Sequence, residues 1–130
     1  MPPKKTTESP IERILLRAMQ DYGMVPICQY EIGQYRVDFA FPEDNLVVEA
    51  DGAAYHSSPK QVRRDMIRER RIRNRGWRVI RFTGAQILQD AYWCARKVYE
   101  EIHAKHRHAP RRGTSQTRSN PKGDKQMDRD

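Results

Sequence analysis

The stretch Tyr35–His56, YRVDFAFPEDNLVVEADGAAYH, restricts the fold more than any other part of the chain. Apolar and charged residues alternate through Tyr35–Phe41 and again through Leu46–Asp51, the period of two expected of strands with one apolar face. Pro42-Glu43-Asp44-Asn45 between them is turn chemistry. As the loop of a hairpin, those residues pair Phe41 with Leu46, Phe39 with Val48, Val37 with Ala50 and Asp38 with Glu49. The apolar residues of both strands then share one face, and Arg36, Asp38, Glu49 and Asp51 collect on the other. A slip of one residue would turn Glu49 away from Asp38 and mix the faces, so the pattern specifies this register.

Directly opposed residues lie roughly 5 Å apart at Cβ, and two carboxylates held there repel unless a proton or cation intervenes. Magnesium takes one or two carboxylates plus waters and phosphate oxygens, which makes Asp38 and Glu49 a candidate metal pair. The competing reading is a solvated sheet face on which both acids pair with Arg36 and other bases.

The strands before and after extend the pattern. Ile27–Ile32 alternates and meets Tyr35 across Gly33-Gln34, with glycine where a type II′ turn needs it. Pairing there sets Ile32 by Tyr35, Tyr30 by Val37 and Cys28 by Phe39, with Gln29 facing Asp38. Three strands of a meander thus agree on the polar face. Trp77–Phe82, WRVIRF, is apolar enough for an interior strand and should run parallel to Leu46–Asp51 after a right-handed helical crossover.

Helices frame these strands. Ser9-Pro10-Ile11-Glu12 combines a capping serine, proline at the first helical position and Glu three residues after the cap. Ile11, Ile14, Leu15, Ala18 and Met19 follow at helical spacing to about Asp21, with Gly23 as the stop. Glu12 reads as the capping-box acid. Ser58-Pro59-Lys60-Gln61 opens a second helix running to about Arg75, before Gly76. On it Arg64, Arg68, Arg71 and Arg75 form a stripe opposite Val62 and Met66, with Ile67 and Ile72 at the margins. Thr83-Gly84-Ala85-Gln86 is a further cap before a short turn at Ile87-Leu88. A last helix spans about Asp90 to His106 on an Ala91, Ala95, Val98 and Ile102 stripe.

The chain of 130 residues carries a formal net charge of +8. Lys60–Arg81 alone holds ten Lys or Arg against two acids, so this one segment accounts for the whole imbalance. Such concentration fits a polyanion partner, with the arginine stripe contacting phosphates. Residues 1–8 and 107–130 are poor in apolar residues and are expected to be disordered, the latter as a basic tail. The ordered domain is therefore expected at 9–106. No apolar run approaches the ~20 residues of a membrane span, and MPPKKTTESP lacks the apolar core of a signal peptide, from which a cytoplasmic location is expected. Cys28 and Cys94 lack metal-ligand spacing and read as reduced core residues.

The ordered series Asp38, Glu49-Ala50-Asp51-Gly52, His56, an arginine-rich helix and Gly76-Trp77-Arg78-Val79-Ile80-Arg81-Phe82 resembles the very-short-patch-repair-like endonuclease domain, a branch of the PD-(D/E)XK nuclease superfamily. The resemblance covers roughly Ser9 to Ile102. It implies an α/β fold with a restriction-endonuclease-like αβββαβ core, a four-stranded mixed sheet flanked by helices. It also implies metal-dependent endonuclease activity on nucleic acid, most naturally double-stranded DNA, with Mg²⁺ or Mn²⁺ held by Asp38 and Glu49. Asp38, Glu49, Asp51 and His56 are the catalytic set carried over by position. Asp51 stands where the wider superfamily has lysine, and Arg63, Arg64 or Arg68 is positioned to supply that charge. Arg63, Arg64, Arg68, Arg71 and Arg75 are the candidate nucleic-acid contacts. The alternative is a nuclease-like module that binds nucleic acid or a protein without cutting.

Overall fold

The computed structural model describes residues 9–52 and 58–112, with side chains as far as residue 104. Two units are distinguished along the chain, one ending at Tyr99 and one beginning at Glu100. The first holds helix α1 (Pro10–Asp21), strands β1 (Ile27–Ile32), β2 (Tyr35–Phe41) and β3 (Leu46–Asp51), helix α2 (Pro59–Asn74), strand β4 (Arg78–Thr83), the short helix α3 (Gly84–Gln89) and the start of α4 (Ala91–Arg112). In the second, the helical backbone continues to Arg112, past the His106 expected as its end. Helical hydrogen bonding is local, four residues at a time, and can run on past the last residue of the apolar stripe at Ile102.

Local chemistry sets each boundary. The Ser9 hydroxyl accepts from the Glu12 amide at 3.3 Å and the Ser58 hydroxyl from the Gln61 amide at 3.1 Å. Thr83 and Gln86 form a reciprocal capping box ahead of α3. Gly33 takes φ 61° in the β1–β2 turn while Gln34 stays at negative φ, the combination a type II′ hairpin requires. The Pro42–Asp44 turn is one of 3-10 helix, closed by Asn45 in the left-handed region with its amide on the Pro42 carbonyl at 3.1 Å.

The strands lie in the order β1-β2-β3-β4, antiparallel except for the parallel β3–β4 pair. Phe39 pairs with Val48, Ala40 with Val47 and Phe41 with Leu46, the register the alternation specifies. WRVIRF therefore ends as the outermost strand of the sheet rather than an interior one. Its apolar side chains are needed because helices cover it: Phe82 meets the Trp93 ring of α4 edge-on at 6.2 Å, and α2 packs across it.

Both faces of the sheet are covered. Phe39, Leu46 and Val48 are fully buried, as are Leu15 and Met19 of α1, Ile87 of α3 and Cys94 and Val98 of α4. Ala40 and Val47, of opposite parity, cluster with Ile72 of α2. Ile32 and Val37 belong to that same second cluster. Val37 and Ala40 are three apart, so a regular strand would send them to opposite faces; the alternation breaks between them. The single polar face expected of the meander is thus replaced by two apolar faces and a break at Asp38. Gln29, the residue opposite Asp38 in the β1–β2 register, takes φ 52° at the same level. Cys28 and Cys94 are free thiols, and only Cys94 is a core residue, Cys28 being half-buried; burial is the chief cause that pushes both up, Cys94 to about 11.

Candidate active site

The break in β2 is where the acids converge. Regular pairing of β2 with β3 reaches only as far as Phe39–Val48. One step further the Asp38 carboxylate itself accepts the Ala50 amide at 2.8 Å, standing in for a strand carbonyl. That hydrogen bond pins Asp38 against β3 beside Glu49. The strand then leaves the sheet at Gly52, where a Cβ would come within 2.9 Å of Ile11 Cδ1. This close approach brings the first turn of α1 over the end of β3.

Glu12 arrives with that turn. It is 8% exposed, accepts from Gln29 Nε2 at 3.1 Å through Oε1, and shares a hydrogen bond with Asp38. Ser9 caps the helix as expected, but the Glu12 carboxylate does not serve as the capping-box acid; it is part of the acid cluster. A signal was present in the sequence. Glu12, Leu15 and Met19 share one helical stripe, and an acid on a stripe that is otherwise core is bound to meet something polar inside.

Burial, the chief cause, pushes the Asp38 carboxyl up to about 7, with the charges of Glu12 and Glu49 and the Glu12 hydrogen bond adding to it; the Ala50 amide pulls the other way. Among the described residues, Asp38 is therefore short of a hydrogen-bonded cation. Its neighbour Glu49, 8% exposed, is not. Arg68 of α2 grips it with both branches, Nη1 to Oε1 at 2.9 Å and Nη2 to Oε2 at 2.7 Å. Arg81 of β4 adds a third hydrogen bond at 3.2 Å and is itself anchored by Glu69 at 3.0 Å. Glu69 in turn binds Arg73 at 2.8 Å.

Helix α2 is rotated about its axis relative to the expected arrangement. Arg68 faces the sheet, Arg71 reaches the Tyr35 hydroxyl at 3.3 Å, and the Arg75 guanidinium lies against Gly33. Met66 is 57% and Val62 44% exposed on the side expected to be buried. The reason is Glu49: a buried carboxylate draws an arginine, and long arginine stems cover the sheet as well as apolar side chains do. Arg68 is thus the partner of Glu49, where the stripe pattern leads one to expect a phosphate-facing surface residue. Of the three arginines that could substitute for the superfamily lysine, it is the one seen bonded to the acids. Arg63 and Arg64 are exposed near the start of α2. Asp51 is exposed at the end of β3. His56 lies outside the described residues. The strand register places Gln29 opposite Asp38, whereas Arg81 and Glu69 carry no signal in the sequence, because their roles depend on which strand and helix they face.

The oxygen donors available here are those of Asp38, Glu49 and Glu12. Among the described residues, no three or more His, Cys, Asp or Glu come together as a ready-made metal cage. A separate groove of about 450 Å³, lined in part by Arg13, Ile14, Arg17 and Tyr92, does not contain the acid cluster.

A break between the two central strands, where carboxylates from β2, β3 and the neighbouring α1 meet and are answered by arginine, is the layout of a restriction-endonuclease-like protein. The fold agrees: the chain superposes on the homing endonuclease I-Bth0305I catalytic domain with a TM-score of 0.62 at 17% identity, over 75% of this chain and 98% of that domain. The chain belongs to the restriction-endonuclease-like family REase_MTES_1575, whose model matches residues 12–102. Two uncharacterized proteins of Mycobacterium tuberculosis, MT2308 and Rv2248, are each 32% identical to it over 79 residues, or 56% of this chain. The chain spans 29% of the length of these relatives.

Proposed function

We infer that this chain is a metal-dependent endonuclease that hydrolyses phosphodiester bonds of double-stranded DNA. The observation that carries the reading is the half-buried Asp38 carboxyl, crowded by Glu12 and Glu49 and hydrogen-bonded to no guanidinium among the described residues, beside a Glu49 that Arg68 faces. Hard oxygen donors with surplus negative charge suit Mg²⁺ or Mn²⁺, with water and phosphate oxygens completing the shell. Asp38 and Glu49 would hold the ion. Once bound, it supplies Lewis-acid polarisation of the phosphate and a water of lowered pKa.

The chain's own residues do the rest. Glu12, itself held by Gln29 of β1, holds Asp38 from the α1 side, and the Ala50 amide holds it from β3. Arg68 provides a positive charge of the kind that stabilises a developing phosphorane. Asp51 stands at the exposed end of the acidic strand. His56, which follows it in the chain, is the residue proposed to move a proton to or from the reacting oxygens.

Arg63 and Arg64 are proposed as phosphate ligands that position the duplex. Replacing both by Gln weakens binding across all sequences and flattens the slope of log affinity against log salt by about 0.9 for each phosphate no longer engaged. An unchanged slope in a salt titration returns both residues to solvent.

The bidentate grip of Arg68 on Glu49 favours a second reading, a module that binds nucleic acid without cutting it. A supercoiled-plasmid nicking assay separates the two. The endonuclease nicks with Mg²⁺ and stops with chelator; the binding module retards the plasmid equally in both and never nicks.

A further inference from the structure

Glu49 and Asp38 are neighbours with opposite imbalances. Glu49 carries two guanidinium partners, Arg68 on both oxygens and Arg81 on Oε1. Among the described residues, Asp38 hydrogen-bonds only to groups that bring no full positive charge, the Ala50 amide and Glu12. A cation shared by the two acids meets at Glu49 an oxygen that Arg68 already binds, and the guanidinium charge opposes it there. Arg81 does not stand in the same relation, because Glu69 ties it down at 3.0 Å from the other side.

Arg68 has somewhere else to rest. Its Nη2 also donates to the Arg36 carbonyl at 2.8 Å, and its guanidinium lies 5.9 Å from the centre of the Tyr35 ring. Both supports come from β2 and neither involves Glu49. A guanidinium released from the carboxylate keeps a backbone acceptor and an aromatic face while its remaining N–H groups turn to an anion. A phosphate offers the same forked acceptor geometry as a carboxylate.

We propose that Arg68 is an exchanging residue, bound to Glu49 when the acids hold no metal and handed to the substrate phosphate when they do, so that metal and nucleic acid bind with positive linkage. This rests on the nuclease reading above and adds to it an order of loading. Free protein holds metal weakly, because the guanidinium competes for Glu49. Substrate relieves the competition by offering Arg68 a second anion, and by reciprocity metal strengthens substrate binding equally.

The test is Mn²⁺ binding to the full chain, followed by the electron paramagnetic resonance signal of the free ion. It is run with and without a duplex whose phosphorothioate linkages resist hydrolysis. For wild type the duplex raises Mn²⁺ affinity about tenfold, an ordinary coupling between linked sites. Arg68→Gln reaches the higher affinity, about tenfold above wild type, without duplex, and the duplex then adds little. Its single-turnover cleavage of an ordinary duplex is slower than wild type even with metal saturating. A residue that merely braced the fold would lower metal affinity and activity together.

Arg68→Lys keeps the charge but cannot fork onto both oxygens, and it decides the matter if the Gln variant does not fold: affinity above wild type supports exchange, and equal or lower affinity overturns it. Unchanged or weaker Mn²⁺ binding by folded Arg68→Gln overturns it too, as does a wild type indifferent to duplex. Cleavage by wild type with metal affinity unmoved in the variants leaves the nuclease and removes the exchange. Raised affinity in the variants with no cleavage by wild type removes the nuclease and leaves the competition at Glu49.

Discussion

Asp38→Ala lowers duplex cleavage by about 10⁴-fold, the upper end of the range for a group acting directly on the reacting centre, while the protein stays folded. Asp38 is held by the Ala50 amide and lies beside Glu12 and Glu49, so no other described carboxylate can take its place without moving the strand. Stability should move the other way, and pH shows why. A carboxyl whose folded pKa is near 7, against about 3.9 when unfolded, keeps a proton in the native state over a window where the unfolded chain has lost it. Wild-type stability therefore falls as pH rises through that window, by at most about 1.4 kcal/mol per pH unit from this group.

Asp38→Asn has no such proton to lose. In chelator-treated buffer its stability relative to wild type should climb between about pH 4 and pH 7 and level off above. Denaturant melts at pH 5 and pH 8 measure the gap. A gap that is the same at both values means that Asp38 ionises normally and that the acids do not crowd one another. Cleavage by the alanine variant at the wild-type rate, in a preparation free of other nucleases, removes the metal assignment.

Glu12→Gln is expected to slow cleavage at pH 8 by about 10²-fold, the low end for a group that shapes charge at the centre, and to shift the acid limb of the pH–rate profile downward. The amide keeps the shape of the side chain and retains an acceptor for Gln29, so the substitution removes chiefly the charge. With it goes one of the influences that raise Asp38, which then ionises at lower pH. The potential that draws a cation into the cluster falls at the same time. Helix α1 is unaffected in this variant because its cap is the Ser9 hydroxyl on the Glu12 amide, a hydrogen bond independent of the side chain. A profile of unchanged height and position would reduce Glu12 to a buried partner of Gln29.

Much of the scaffold is legible without coordinates because it depends on neighbours in the chain. Caps at Ser9, Ser58 and Thr83, glycine at the hairpin turn and the stops at Gly23 and Gly76 are local events, each governed by a few consecutive residues. The β2–β3 register is nearly as local, since a short turn leaves one alignment that keeps Phe39 and Val48 together. Asp38 and Glu49 are readable for that reason. The parallel partner of β3 follows from handedness of the crossover, but its position at the sheet edge does not, since apolar content reports burial and helices bury an edge strand as well as strands do.

What the chain pattern leaves open is the rotation of helices about their own axes and the state of a strand where regular pairing fails. The apolar residues of helix α2 mark the Val62 and Met66 side for burial, but they are few and its arginines many, and the buried charge of Glu49 selects the other side by drawing Arg68 inward. Glu12 satisfies a local rule at α1 while its side chain answers a partner seventeen positions away in Gln29, and no local pattern ranks one above the other. The elements, their register and two of the acids can be read along the chain, because they rest on short-range sterics and hydrogen bonds. That Gln29 binds Glu12, and that of several arginines it is Arg68 that grips Glu49 together with Arg81, emerges only from packing in three dimensions, because a buried charge chooses its partners through space.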